Sequence, residues 1–317
     1  MPRGFNEIVL SVSDLQRFST VFAEDFGWSV ELLRDAPREQ WSAWRVPEAC
    51  TRIEQRLLCP DGDRRSALRL VKFHGARQRM MRSSQHAWDT GGIFDIDVYV
   101  RDCPALHRVL QGRGWDAFGD PTDYAWGGFE VCEAVMRAPD GICIGLLQPY
   151  GKVLIDLPEY RVMSRAFNSA QIVRDYDAGM QFYVERLGWK VLVEAEVQGA
   201  EEPGRNVLGV PRPLATTVRR RVAIVHPEGS NDGSLELISM PELEGHAFDP
   251  HCVAPNLGYL AARFPHDDAR RHAGELQARG VELYAGPIDL VVEPYGVVTT
   301  FAVRSPEGAI LEFFSPR

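Results

Sequence analysis

Four carboxylates stand inside strand-like apolar stretches of this sequence. They are Glu7 before Ile8-Val9-Leu10, Asp95 beside Ile96, Glu236 between Leu235 and Leu237, and Glu312 between Leu311 and Phe313. Alternation along a strand puts Glu7, Val9 and Ser11 on one face, and likewise Ile310, Glu312 and Phe314. A carboxylate on a covered sheet face is costly to desolvate unless it is paired or coordinated. Each acid therefore needs a partner: an arginine or backbone donor, a metal ion, or a substrate proton that it takes up as a general base. Burial would also raise its proton affinity. Histidine offers less. His107 and His272 fall within helical stretches, while His226 ends a strand and His246 and His251 flank Asp249 in a linker. A lone histidine is more often structural than a ligand, although any of these last three would serve as a base if a pocket lay beside it.

The elements that position these residues are repeated. An apolar run leads to Asp14, then a helical stretch, then Gly27-Trp28. The same cassette recurs from Asp102 to Gly114-Trp115, from Asp175 to Gly188-Trp189, and from Asp267 to Gly280, with twelve or thirteen residues from Asp to Gly. Aspartate at a helix start accepts hydrogen bonds from free N–H groups and faces the positive end of the dipole. Glycine supplies the left-handed stop. Strand-like material follows each helix, with Pro139-Asp140-Gly141 and Pro306-Glu307-Gly308 as hairpin turn signals. The pattern predicts an α+β chain of four βαβββ modules forming two curved-sheet halves.

Paired βαβββ modules with a Val-x-Asp strand exit, a Leu-Gly-Trp helix end and a Pro-[Asp/Glu]-Gly turn before the last strand resemble the vicinal oxygen chelate superfamily. Glyoxalase I, extradiol dioxygenases and bleomycin-binding proteins belong to it. The resemblance implies ligand positions at the start of each module's first strand and the end of its last. Seven residues before each cap, these are Glu7, Asp95, Asn168 and Leu260. On the last strands they are Arg69, Gly145, Glu236 and Glu312. Modules could pair as 1+2 and 3+4, or as 1+4 and 2+3. The resemblance marks Glu312 and Glu7 as catalytic candidates, and Glu312, Glu236, Asn168 and Asp95 as candidate ligands of a divalent metal. Oxygen ligands favour Mg²⁺ or Mn²⁺ over Zn²⁺. Asn168 and Leu260 stand where two-domain extradiol dioxygenases carry histidines, so iron-dependent catechol cleavage is not expected. The implied function is a lyase or isomerase step on a small oxygenated organic substrate. The alternative is metal-free small-molecule sequestration of the bleomycin-resistance type. No cofactor-binding residues are implied.

Composition sets the remaining bounds. The chain has 317 residues, net charge −9 and 45% hydrophobic residues, which argues against nucleic acid or an anionic membrane as main partner. Met1-Pro2-Arg3-Gly4-Phe5 carries no signal-peptide apolar core, and six cysteines lie scattered without a CxxC pair, so a cytoplasmic location is expected. The expected layout is a two-module domain over 1–150, a linker over 151–162 and a second two-module domain over 163–317. The Gly-, Pro- and Glu-rich stretch from Glu194 to Thr217 reads as a loop able to fold over a pocket mouth.

Overall fold

A computed structural model describes residues 3–60, 64–84, 86–126 and 129–317. Met1 and Pro2 of the N-terminal stretch lie outside the described residues.

All four helical cassettes are present, as Leu15–Glu24, Cys103–Gly112, Tyr176–Met180 and Ala269–Ala278. The third continues in wider π-helical turns over Gln181–Arg186. Asp14, Asp102 and Asp175 cap their helices, accepting hydrogen bonds from the N–H groups of Arg17, Ala105 and Ala178 at 3.0, 2.8 and 2.9 Å. Gly27, Gly114, Gly188 and Gly280 each adopt positive φ at the helix ends, the conformation that a side chain resists. The fourth cap is Asp268 rather than the expected Asp267, because Asp268 has the extended backbone of a cap and accepts from Arg271 N at 2.9 Å. Two consecutive aspartates fit the spacing equally well, and only the backbone turn separates them. The matching first-strand position therefore moves from Leu260 to Ala261.

Two sheets carry the strands, and they settle the module pairing as 1+4 and 2+3. The first sheet runs in the order Leu283–Val292, Gly296–Arg304, Ile310–Pro316, Gly258–Pro265, Glu7–Ser11, Ala67–His74, Arg52–Cys59, Ser29–Leu32. At its centre Glu7 pairs with Arg263 across antiparallel strands. The second runs Lys190–Val197, Arg220–His226, Ser234–Ser239, Met163–Ile172, Asp95–Val100, Cys143–Pro149, Phe129–Arg137, Asp116–Ala117. Thr122–Trp126 pairs with Phe129–Arg137. Each sheet thus joins one module from each half of the chain, the outer two in the first sheet and the inner two in the second.

The turn acids tie the modules together differently. Asp140 accepts from Ser13 N at 2.7 Å, just before the first helix. Glu307 accepts from Arg174 N at 2.9 Å, just before the third. Each carboxylate sits at a helix start, where the backbone dipole favours negative charge. Modules 1 and 2, and modules 3 and 4, are therefore clamped at their helix ends while their strands pair elsewhere.

Strand alternation divides the side chains. Ile8, Leu10, Ile96, Val98, Leu235, Leu237, Leu311 and Phe313 join the helices in one core that spans both sheets. The opposite faces line two hollows, and the candidate residues stand there. No helix among the described residues is long and apolar enough to cross a membrane.

Candidate functional site

The first hollow is closed by side chains that neutralise one another. Glu7 accepts from Arg69 Nε at 2.7 Å, from Arg263 Nη1 at 2.6 Å and from the Tyr295 hydroxyl at 3.1 Å. Glu312 accepts from Arg263 Nε, from Trp44 Nε1 at 2.9 Å and from Gln40 Nε2 at 3.3 Å. Gln40 and Trp44 arrive on a short helix over Arg38–Ala43 and the residue after it, inserted between the strands of module 1. All four ionic groups are at most 4% exposed. Burial pushes the Glu7 carboxyl up, but the charges of Arg69 and Arg263 outweigh it and hold it below the ordinary value. Two acids meet two guanidiniums here, with their donors and acceptors spent on each other. A divalent cation does not fit this set, because the arginines already stand as its positive charges.

The second hollow is a cavity of about 360 Å³. Its floor holds Asp95 and Asp97 from one strand, Asn168 from the next, Glu236 beyond it and Glu133 on the other flank, all lining the same space. The chain reaches this arrangement by alternation: Ile96 and Val98 face the core, so Asp95 and Asp97 face the hollow. The apolar wall includes Phe94, Phe129, Phe167, Val222 and Ile238. Residues 197–218 cover one side, with Val207, Leu208 and Val210 packed among buried residues beneath. This is the segment expected to fold over a pocket mouth.

Burial raises the proton affinities of its carboxyls. Burial pushes Glu236 up to about 8, with Asp95 and Glu133 adding repulsion and Arg220 opposing it. Burial pushes Asp95 up to about 7, against the hydrogen bond it accepts from Ala170 N at 3.2 Å. Asp97 is driven well above the ordinary carboxylate range by burial and by Asp95, Glu236 and Glu133. Glu133 is raised by burial, although it accepts the Tyr124 hydroxyl proton and lies near Arg220. Asn168 is 3% exposed and donates to Ser234 Oγ at 3.0 Å, yet its Oδ1 has no partner.

The structure therefore separates the residues singled out in the sequence. Glu7 and Glu312 lie in the first hollow, and Asp95, Asn168 and Glu236 in the second. Leu260 packs in the apolar lining of the first. His226 is consumed locally, accepting at Nδ1 from the N–H groups of residues 228, 229 and 230. Asp97, Glu133, Tyr124 and Arg220 were not anticipated, although Asp97 could have been found by stepping two residues along the strand from Asp95. Among the described residues no three His, Cys, Asp or Glu side chains converge as a metal-ligand set. The donors here do not form a cage for the implied divalent metal, and the chemistry below is derived from the protein's own groups.

Gly145 occupies the last-strand position of module 2, opposite Asp97 in the parallel register. A Cβ there would collide with the Asp97 carboxylate. Gly145→Ala should therefore displace Asp97 and weaken binding in this hollow while the fold persists. Titration with a cavity ligand checks it, and unchanged affinity would show that the Asp97 position is immaterial.

No family model matches the sequence, and no curated protein matches it significantly. Solved structures do match. Glyoxalase I from Zea mays superposes with a TM-score of 0.64 at 17% identity, covering 99% of this chain and 92% of that one. A candidate dioxygenase from Bacillus subtilis subsp. subtilis str. 168 superposes with a TM-score of 0.58 at 11% identity, covering 99% and 86%. With four βαβββ modules and full-length superposition on glyoxalase I, the chain has the fold of the vicinal oxygen chelate superfamily.

Proposed function

We propose that the second hollow is an active site for proton transfer on a small oxygenated organic molecule, in an isomerase or lyase step. One observation carries this reading: four carboxyls line a single cavity, burial raises the proton affinity of each, and Asp95 and Glu236 are pushed up to about 7 and about 8. A carboxyl titrating near working pH is an efficient general acid–base catalyst, and burial is the ordinary way to reach that range. The group titrates as a cluster, so some carboxyls are ionised and others protonated at neutral pH. Asp95, raised less than Glu236, takes a proton in its ionised form from carbon next to a carbonyl. A protonated member, Glu236, donates a hydrogen bond to the carbonyl oxygen as negative charge develops there. With an α-hydroxy carbonyl compound, Glu236 gives its proton to the carbonyl oxygen and takes up the proton of the neighbouring hydroxyl, and return of the carbon-bound proton from the base to the former carbonyl carbon completes an isomerisation. Where the carbon β to the carbonyl carries a leaving group, its departure with the bonding electrons completes an elimination. The apolar wall and the covering segment 197–218 shield one side of the cavity from solvent during both steps.

The test is exchange of carbon-bound protons in D₂O, followed by NMR across a panel of small α-hydroxy and α-keto compounds. Exchange with at least one compound is expected, falling roughly 10²-fold or more in Glu236→Gln. Tight binding without exchange would favour the second reading, sequestration, which the aromatic wall and the cover also suit.

A further inference from the structure

The two hollows answer to each other position by position, and the comparison shows what the second one lacks. Counted from the helix caps, Glu7 of the first corresponds to Asp95 of the second, both seven residues before the cap. Arg263 and Ala170 both lie five residues before theirs. On the last strands, Arg69 faces Val9 in parallel register as Gly145 faces Asp97. Glu312 faces Arg263 as Glu236 faces Ala170. Both acid positions are therefore kept, as Asp95 and Glu236, while both arginine positions are reduced to Gly145 and Ala170. Asp97 and Glu133 add two further carboxyls to the same cavity.

From this we infer that the molecule held in the second hollow carries a protonated amine joined to an apolar, ring-sized body, the ammonium taking the place that guanidiniums fill in the first hollow. The inference rests on the second hollow being the binding site. Among the described lining residues, Arg220 is the cation set against Asp95, Asp97, Glu133 and Glu236, while Arg205 of the cover is paired with Glu201 at 3.0 Å. An unpartnered acceptor points the same way independently: Asn168 Oδ1 is buried, lines the cavity and has no donor. A buried acceptor left without a donor is costly, so a ligand that brings donor hydrogens, as an ammonium does, is favoured over one that brings only acceptors. Phe94, Phe129 and Phe167 supply a wall for a ring, and an aromatic face also attracts a cation. A carboxylate or phosphate ligand would meet four acids across one arginine.

The balance of protons gives the inference a signature. An arriving ammonium stabilises ionised carboxyls, so it displaces protons from the cluster. Binding should tighten as pH rises through the range where the acids would otherwise hold them. The groups that set this titration are Asp95, Asp97, Glu133, Glu236, Tyr124 and Arg220 around the cavity. Arg82 and Cys143 lie behind Asp95, and Glu201 and Arg205 lie on the cover.

Calorimetry on the full-length chain decides the matter with three probes of one size: phenethylammonium, 2-phenylethanol and 3-phenylpropanoate. Phenethylammonium should bind at least 10-fold more tightly than 2-phenylethanol, should bind more tightly at pH 8.5 than at pH 6, and should release protons, read by repeating the titration in buffers of different ionisation enthalpy. Ala170→Arg restores the protein's own guanidinium and should abolish that preference, and Glu236→Gln should weaken phenethylammonium binding without the risk of overfilling the cavity. Equal or tighter binding of the alcohol or the carboxylate overturns the inference and leaves proton transfer in the hollow standing. Absence of binding by all three probes at millimolar concentration overturns it too. The proton-transfer reading falls separately, if no compound exchanges protons in D₂O.

Discussion

Glu7→Gln is expected to destabilise the folded chain by about 3–5 kcal/mol, the usual cost of removing one member of a buried ion pair. The carboxylate neutralises Arg69 and Arg263 at 2.7 and 2.6 Å with essentially no solvent contact. Glutamine keeps the shape but leaves two buried guanidiniums sharing the single charge of Glu312. The pH dependence has a definite sign. Glu7 is held below its ordinary value of 4.5 in the folded state. Its contribution is fully present above that value and is lost as pH falls through the lower folded value. The mutant penalty should therefore be large at pH 7 and should shrink under acid conditions. Denaturant unfolding at pH 7 and below pH 4 measures both. A penalty under 1 kcal/mol at pH 7 would mean that the network is not a stabilising unit. Glu312→Gln, made alongside, should also destabilise while leaving proton exchange per folded molecule unchanged. A large loss of exchange with normal stability would return Glu312 to the catalytic role that family resemblance implies for it.

Glu236→Gln is expected to act in the opposite direction on stability and far more strongly on function. Burial and neighbouring acids raise its folded value from 4.5 to about 8. A carboxyl raised in this way favours the folded state when protonated. That contribution is complete below pH 4.5 and is lost as pH rises through about 8. Glutamine has no proton to lose. The variant should equal the wild type in stability at low pH and exceed it by roughly 1–3 kcal/mol at pH 9, a modest figure because the carboxyl keeps some contact with the cavity and shares its titration with three others. Proton exchange should fall roughly 10²- to 10⁴-fold. Melting curves at pH 5 and pH 9, with exchange rates on the same samples, test the two together. A variant that melts lower than wild type at pH 9 would show that Glu236 is compensated by a partner, and the proton-transfer reading would lose its acid. A group whose removal stabilises the fold and stops the reaction is the expected mark of a functional site.

Much of this molecule was local and therefore legible in its residues. An aspartate that reaches the N–H three residues ahead, and a glycine that tolerates positive φ, act within one helix, and so four helices could be placed from Asp and Gly alone. Alternation is equally local, and it set Glu7 on one strand face with Val9 and Ser11, and Glu312 with Ile310 and Phe314. The stretch from Glu194 to Thr217 announced itself as a cover by its composition. One step of the same local reasoning went astray at Asp267, where the cap is its neighbour.

Only the tertiary structure decided what those acids face. Glu7–Ser11 pairs with Gly258–Pro265 across some 250 residues, and Asp95–Val100 pairs with Met163–Ile172. Two first strands with similar patterns can pair in either combination at no local cost, so spacing left both pairings open. That choice sets each acid's surroundings. It brings Arg263 onto Glu7, which makes one hollow a sealed ionic core, and it brings Ala170 and Asn168 beside Asp95, which leaves the other with carboxyls, a cavity and no guanidinium at the matching positions. A carboxylate's chemistry depends on charges and solvent within a few ångströms, and in this chain those neighbours come from distant segments.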